Sequence, residues 1–222
     1  MTGEATDRLV RAWFPQDEVP TPRRLRKHAL AARLRAMAAD VLLLDVEGAP
    51  EADLAETEGL LRAAQTRLAA LPDLRGAGGV YGNRADASLF ERSPLSGRSN
   101  ALAAPLSISF DGERTIGHAT YGESYEGPPG SVHGGHVIAA FDDLLGVAQA
   151  ASGTAGFTGT LTVRLVARTP LHRRIDYEAG VAGRDGRKVT TWGRSTLDGE
   201  VLAEASGIFV SPHTGLDLPA LP

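Results

Sequence analysis

The chain has no cysteine among its 222 residues, which removes disulfides, thiolate metal sites and a thiol nucleophile together. It has no Gly-x-Ser-x-Gly, so the strained nucleophile elbow of a serine hydrolase is absent. It has no long basic tract either. Its 23 basic and 27 acidic side chains are mixed along the sequence and sum to a formal charge of −4, so neither nucleic acid nor an anionic membrane is indicated as a partner. No apolar run approaches the ~18 residues of a membrane span, and Met1 to Val10 (MTGEATDRLV) lacks the apolar core of a signal peptide. No internal repeat or low-complexity tract stands out. The expectation is a soluble, cytoplasmic protein with no membrane span.

What is present supports a real core, since 42% of the residues are hydrophobic, and the length suits one domain plus an appendage. Thr21 before Pro22 is a helix start, and Leu30, Leu34, Met37, Val41 and Leu44 then fall on one stripe, surrounded at its beginning by Arg23, Arg24, Arg26, Lys27, Arg33 and Arg35. Gly48-Ala49-Pro50 breaks the pattern. A second helix follows, with Glu51 and Asp53 at its positive end and Leu54, Leu61 and Leu68 seven residues apart. Together these predict an αα-hairpin over residues 1–75, its basic start read as a solvated face. Pro72 to Asp86 holds Gly76, Gly78, Gly79 and Gly82, so 76–88 reads as a linker and 89–222 as the compact domain.

Strand signals dominate that domain. Leu106, Ile108 and Phe110 alternate, Asp111-Gly112 marks a turn, and Thr115 to Tyr121 continues as a partner. Four further β-segments are predicted over Phe157–Ala167, Arg173–Gly183, Lys188–Thr196 and Val201–Val210, the last three separated by turns at Arg184-Asp185-Gly186 and Asp198-Gly199. The tail Pro212 to Pro222 lacks periodicity. About six strands with short turns around one helix predict an α+β fold with an antiparallel sheet and the helix on one face.

That helix begins in the stretch Gly127-Pro-Pro-Gly-Ser-Val-His-Gly-Gly-His-Val-Ile-Ala-Ala-Phe-Asp-Asp-Leu-Leu-Gly146. Pro128, Pro129 and Gly130 forbid regular structure, and Val137, Phe141, Leu144, Leu145 and Ala148 then recur as a one-sided apolar stripe, predicting a start near His133 or Gly134 and an end near Ser152-Gly153. Two glycines at a helix start leave unpaired N–H groups unshielded at the positive end of the dipole, which is an oxyanion site. Asp142 puts a carboxylate two turns further on. Close to a polarised carbonyl it can attack the carbon or take a proton from water, and these alternatives stay open. Asp143 points about 100° further round the helix. His133 and His136 lack a matched third ligand, so no metal and no cofactor are predicted.

His133-Gly134-Gly135, the preceding Tyr-Glu-Gly-Pro-Pro-Gly-x-Val, an acid nine residues after the histidine and a Gly186-Arg187-Lys188 hairpin resemble the hotdog-fold acyl-CoA thioesterases, in the branch that holds the phenylacetate-pathway and human THEM-type enzymes. The resemblance runs from Leu89 to about Pro212. It implies a hotdog fold, hydrolysis of acyl-CoA, and a homo-oligomer built as a dimer or a dimer of dimers with pockets between subunits. It implies Asp142 as the catalytic carboxylate, a general base or nucleophile, the Gly134 N–H as oxyanion donor, Gly135 as a site of close approach, and His133 as a support for the loop. Thr160, ten residues before Pro170, falls where THEM-type relatives carry an active-site threonine. The hydroxyl that some hotdog thioesterases carry one turn past the acid is here Gly146, so support for the acid comes from elsewhere. Asn100, in the loop Ser93–Asn100, is a candidate for the acyl pocket, and Arg187 and Lys188, with Arg164, Arg168, Arg173 and Arg174, are candidates for the phosphates of coenzyme A. The competing readings are a hotdog hydratase and a non-catalytic acyl-CoA-binding or regulatory module.

Gly134 and Asp142 are eight residues apart on one helix, ~12 Å along its axis. One carbonyl cannot sit beside both. A two-fold axis that sets partner helices antiparallel resolves this, with the glycine end of one helix beside the acid of the other.

Overall fold

The computed structural model describes residues 19–73, 89–111, 114–153 and 156–211. The start Met1–Val10, the linker over 76–88, Gly112 of the first predicted turn and the tail Pro212–Pro222 lie outside them. The described chain forms helices α1 (Pro22–Leu42), α2 (Glu51–Ala69), α3 (Leu89–Arg92) and α4 (Gly134–Ala151), a 3-10 turn at Glu123–Tyr125, and strands β1 (Ser107–Phe110), β2 (Thr115–Thr120), β3 (Phe157–Leu165), β4 (Arg174–Asp185), β5 (Lys188–Leu197) and β6 (Glu200–Val210). The short helix α3 and the 3-10 turn have no counterpart in the sequence pattern, being too short to show a period.

All strand pairs are antiparallel, in the order β1-β2-β4-β5-β6-β3. β4 and β5 join through Gly186 and Arg187, and β5 and β6 through Asp198-Gly199, where both residues have positive φ, as a two-residue hairpin turn that follows the strand twist requires. Helix α4 crosses one face of the sheet against β2, β3, β4, β5 and β6. The predicted stripe is its buried side: Val137, Phe141, Leu144, Leu145 and Ala148 are all at most 3% exposed. The sheet meets these large side chains with small ones, among them Ala179, Ala203, Gly193 and Gly207. A Cβ at Gly193 would lie 3.0 Å from Leu145 Cδ2, and one at Gly207 3.2 Å from Leu145 Cδ1, so the glycines let the helix approach. Phe141 meets Tyr177 edge-on at 5.7 Å, and truncating such a fully buried ring costs about 3–5 kcal/mol. An antiparallel sheet with one long helix across its face is the hotdog fold.

The N-terminal αα-hairpin forms as two helices but stays open. Thr21 caps α1 by accepting from the Arg24 N–H at 3.2 Å, and both helices form over the expected ranges. They do not close on each other. α2 buries none of its side chains, and α1 buries only Ala31. The physical reason is that α1 docks on the body through its polar stripe: His28 Nε2 lies 2.9 and 2.8 Å from the two oxygens of buried Glu91, and Arg35 Nη1 donates to the Asn100 carbonyl at 2.7 Å. Of the stripe expected to pack, Leu30, Leu34, Val41 and Leu44 are exposed on another side of the helix, and Met37 is half-buried.

Candidate active site

The site is built on the first three turns of α4 and the loop that leads into it. That loop is pinned at several points: His133 N–H donates to the Tyr125 carbonyl at 2.8 Å, Val132 N–H to the Thr169 carbonyl at 2.8 Å, and Gly127 N–H to the Ser131 carbonyl at 2.9 Å. Gly127 is obligatory here, since a Cβ would lie 2.7 Å from His133 Cα. His133 is the helix N-cap. Its Nδ1 accepts from the Gly135 N–H at 3.0 Å, and a Cβ on Gly135 would crowd that ring nitrogen at the same distance. Gly135 therefore makes room for the cap. The Gly134 N–H makes no hydrogen bond among the described residues and sits at the positive end of an 18-residue helix. Leu165, at the far end of β3, lies beside Gly134, 3.2 Å from where its Cβ would be.

Asp142, partly exposed, lies two turns on. Thr158 Oγ1 donates to its Oδ1 at 2.9 Å, and its Oδ2 makes no hydrogen bond among the described residues. The threonine is not the expected one. In the β3–β6 register Thr158 pairs with Phe209, whose ring lies against α4, whereas Thr160 pairs with Ile208, which is exposed on the outer face. The irregularity between them at Gly159 breaks the alternation, so residues two apart face opposite sides. A lone glycine inside a strand pattern is the signal that could have located it.

Asp143 is held apart from this arrangement. Ser93 Oγ and Ser96 Oγ both donate to its Oδ2, at 2.8 and 2.5 Å, tying the 93–100 loop to the helix. Burial raises its pKa above the usual carboxylate value, the Ser96 and Ser93 hydroxyls oppose the shift, and the neighbouring Asp142 charge adds to it. Asn100 serves the same loop. Its Nδ2 donates to the Arg92 carbonyl at 3.2 Å and its Oδ1 accepts from the Leu102 N–H at 2.9 Å, so both ends of the amide are engaged in the turn.

His136 lies edge-on to Tyr125 at 5.0 Å, and its pKa is lowered, first by burial and then by His133. Deeper in the core, Tyr121 and Tyr177 share a hydroxyl hydrogen bond of 2.8 Å. Burial is the main cause pushing Tyr121 up to about 12, and it raises Tyr177 further, so both stay neutral. Among the described residues no cluster of three or more His, Asp or Glu side chains is placed to hold a metal ion.

Of the basic candidates, Arg164, Arg173 and Arg174 are paired with Glu204, Asp198 and Asp176. Arg187 Nη1 donates to the Ser211 carbonyl at 2.8 Å, and Lys188 pairs through Val210 with Phe157. Lys188 is thus two strands, ~10 Å, from the residue that precedes Thr158, at the same end of the sheet. Among the described residues no helix is long and apolar enough to cross a membrane.

A solved protein described as a thioesterase superfamily protein is 30% identical to this chain, over 83% of the chain and 94% of its own, with a TM-score of 0.69. The chain belongs to the thioesterase superfamily. The match is longer than the 89–222 body, so it takes in part of the helical N-terminal region. Partial overlaps over 47% of the chain include the Escherichia coli PaaI protein from the phenylacetic acid degradation operon, 16% identical over 82% of its own chain with a TM-score of 0.45. They also include a hypothetical thioesterase with coenzyme A from Streptococcus pneumoniae, 14% identical over 86% of its own chain with a TM-score of 0.45. No protein-family model and no curated protein matches the chain.

Proposed function

We propose that this protein hydrolyses the thioester of an acyl-CoA to a free acid and coenzyme A. The observation that carries the reading is the pairing, on one helix, of an unbonded N–H at Gly134 with a carboxylate at Asp142 that keeps one oxygen free. Membership of the thioesterase superfamily supports the reaction class. The Gly134 N–H receives the thioester oxygen as negative charge develops on it. Asp142 Oδ2 either takes a proton from the attacking water or attacks the carbonyl carbon itself, and Thr158 holds Oδ1 so that the free oxygen faces the reaction. Collapse of the tetrahedral intermediate breaks the C–S bond and releases the thiolate of coenzyme A. Where water was the nucleophile this leaves the free acid; where Asp142 attacked, it leaves a mixed anhydride that water then hydrolyses to the free acid and the restored carboxylate. Arg187 and Lys188 are the proposed contacts for its phosphates.

The working unit in this proposal is a homodimer with two shared sites. β3 is an edge strand with much of both faces exposed, carrying Phe157 at 60% and Leu165 at 51%, and an unpaired edge of that length invites a partner. Along β3, Leu165 lies beside Gly134 and Thr158 beside Asp142, so α4 runs antiparallel to the strand. Two β3 edges paired antiparallel about Leu161 and Thr162 bring the Gly134 end of one copy to the Asp142 end of the other.

The division into a helical region over 1–75, a linker over 76–88 and a catalytic body over 89–222 belongs to the same proposal. A chain lacking 1–75 that folds but has lost its turnover would contradict it. The activity itself is tested by thiol release from short, medium, long and aromatic acyl-CoAs: turnover of at least one class is expected, and binding without turnover across the series would indicate a non-catalytic module.

A further inference from the structure

The helical region carries a second surface that the hydrolytic site does not use. α1 is attached to the body by His28 and Arg35, on a stripe with Arg24, Ala31 and Ala39 whose members are buried or half-buried, while Leu30, Leu34 and Val41 face away at 43–63% exposure. α2 adds Leu60 and Leu68 with no buried residue at all. An amphipathic helix anchored by its polar side has its apolar side free for something else.

Charge says what that is. The two helices are joined by eight residues, Leu43–Pro50, which span at most about 27 Å, less than the ~31 Å length of α1, so within one chain they can pack only antiparallel. Antiparallel closure brings Asp40 level with Asp53 and Arg26 level with Arg67, like charge beside like charge on the same flank of the seam. This accounts for the open hairpin. In the parallel sense, with Leu34 level with Leu61 and Val41 with Leu68, Arg26 comes beside Glu51 and Arg33 beside Glu58. Only a second copy can supply a parallel α2.

We propose that the N-terminal helices are exchanged between two copies of this chain, α1 of each packing parallel to α2 of the other. Each copy contributes two faces of ~300 Å², so the exchange buries ~1,200 Å² in all, at the lower edge of what a specific association needs. The Glu58–Arg62 ion pair within α2 is exposed on both sides and gives way at little cost.

The absence of cysteine makes the test direct. Two differently tagged full-length chains, one carrying Arg33→Cys and the other Glu58→Cys, are co-expressed and treated with a short bis-maleimide. The result expected is a cross-linked species of twice the 23.3 kDa chain mass that carries both tags. It should be lost when Leu34→Glu is added, with circular dichroism unchanged. A chain carrying both cysteines should give no internal cross-link. An internal cross-link without the two-tag species would mean that the hairpin closes within one chain. No cross-link of either kind would mean that these faces meet something other than this chain, and both outcomes overturn the proposal.

Discussion

Thr158 Oγ1 lies 2.9 Å from Asp142 Oδ1, across from β3 to α4, and this bond selects which of the carboxylate's two oxygens is free. A hydrogen bond to a charged group is worth about 1.5–3 kcal/mol, and here it acts on orientation rather than on the fold, because both residues are partly or wholly exposed. Thr158→Val should therefore lower kcat for acyl-CoA hydrolysis by roughly 10- to 100-fold with little change in Tm. Thr160→Val, on the outer face, should leave kcat near that of the unmodified protein. Steady-state kinetics of the two variants side by side would show the reverse order if the outer threonine were the functional one.

Asp143 invites confusion with its neighbour, and the two are separable by experiment. Its pKa is raised, so the folded state holds the proton to higher pH than the unfolded chain, and the stability it contributes is complete below about 3.8 and is lost as pH rises through the folded value. Both serines donate to the same oxygen, so an asparagine keeps both bonds through its single carbonyl without burying charge. Asp143→Asn should keep or raise Tm at pH 7 and retain turnover. Asp143→Leu, which strands both hydroxyls, should cost about 1–3 kcal/mol. A large loss of turnover in Asp143→Asn with Tm intact would move the chemistry to the second acid.

His136 gives a pH dependence of opposite sign. Its pKa is lowered in the folded state, so as pH falls below the ordinary 6.5 the unfolded chain binds the proton first. The stability it contributes is complete above 6.5 and declines as pH falls through the folded value. His136→Phe, which keeps a ring against Tyr125, should flatten the decline in Tm between neutral and mildly acidic pH. An unchanged decline would assign the effect to other groups.

The β-strands, α4 and its buried stripe were legible in the sequence because their periods are carried by strongly apolar residues with nothing competing. Val137, Phe141, Leu144 and Leu145 could hardly face elsewhere. The two N-terminal helices are equally legible, but not that they stay apart: the stripe of Leu30, Leu34 and Val41 says only that a face wants burial, whereas the anchor of α1 is His28 and Arg35, recognisable only once Glu91 and the Asn100 carbonyl are in place. At the site, the place ten residues before Pro170 points to Thr160 by resemblance, whereas the strand irregularity between Thr158 and Thr160 leaves Thr158 as the threonine bonded to Asp142. Asn100 is a candidate for the acyl pocket in the sequence, and in the structure the turn that it closes engages both ends of its amide.

A shared site makes a distinctive prediction for mixtures. Gly134→Pro removes the N–H, and the residue before it, His133, already has the extended ψ of 132° that a following proline requires, so the helix start should survive. Asp142→Asn and Gly134→Pro proteins should each be inactive alone. After confirmed exchange of subunits, the mixture should regain one intact site per heterodimer, up to about a quarter of the unmodified activity, since random assortment puts half the chains in heterodimers that each carry one of two sites. No recovery despite exchange would confine the site to one chain.

The role of Asp142 is tested most directly by changing it to Asn and measuring the hydrolysis of an acyl-CoA that the unmodified protein turns over. Asparagine has the shape of aspartate and can still accept the Thr158 bond, but it can neither take a proton from water nor attack the carbonyl. A loss of roughly 10²- to 10⁴-fold in kcat is expected, with Tm and circular dichroism unchanged. Turnover equal to that of the unmodified protein, in a preparation of matched folded fraction, would contradict it.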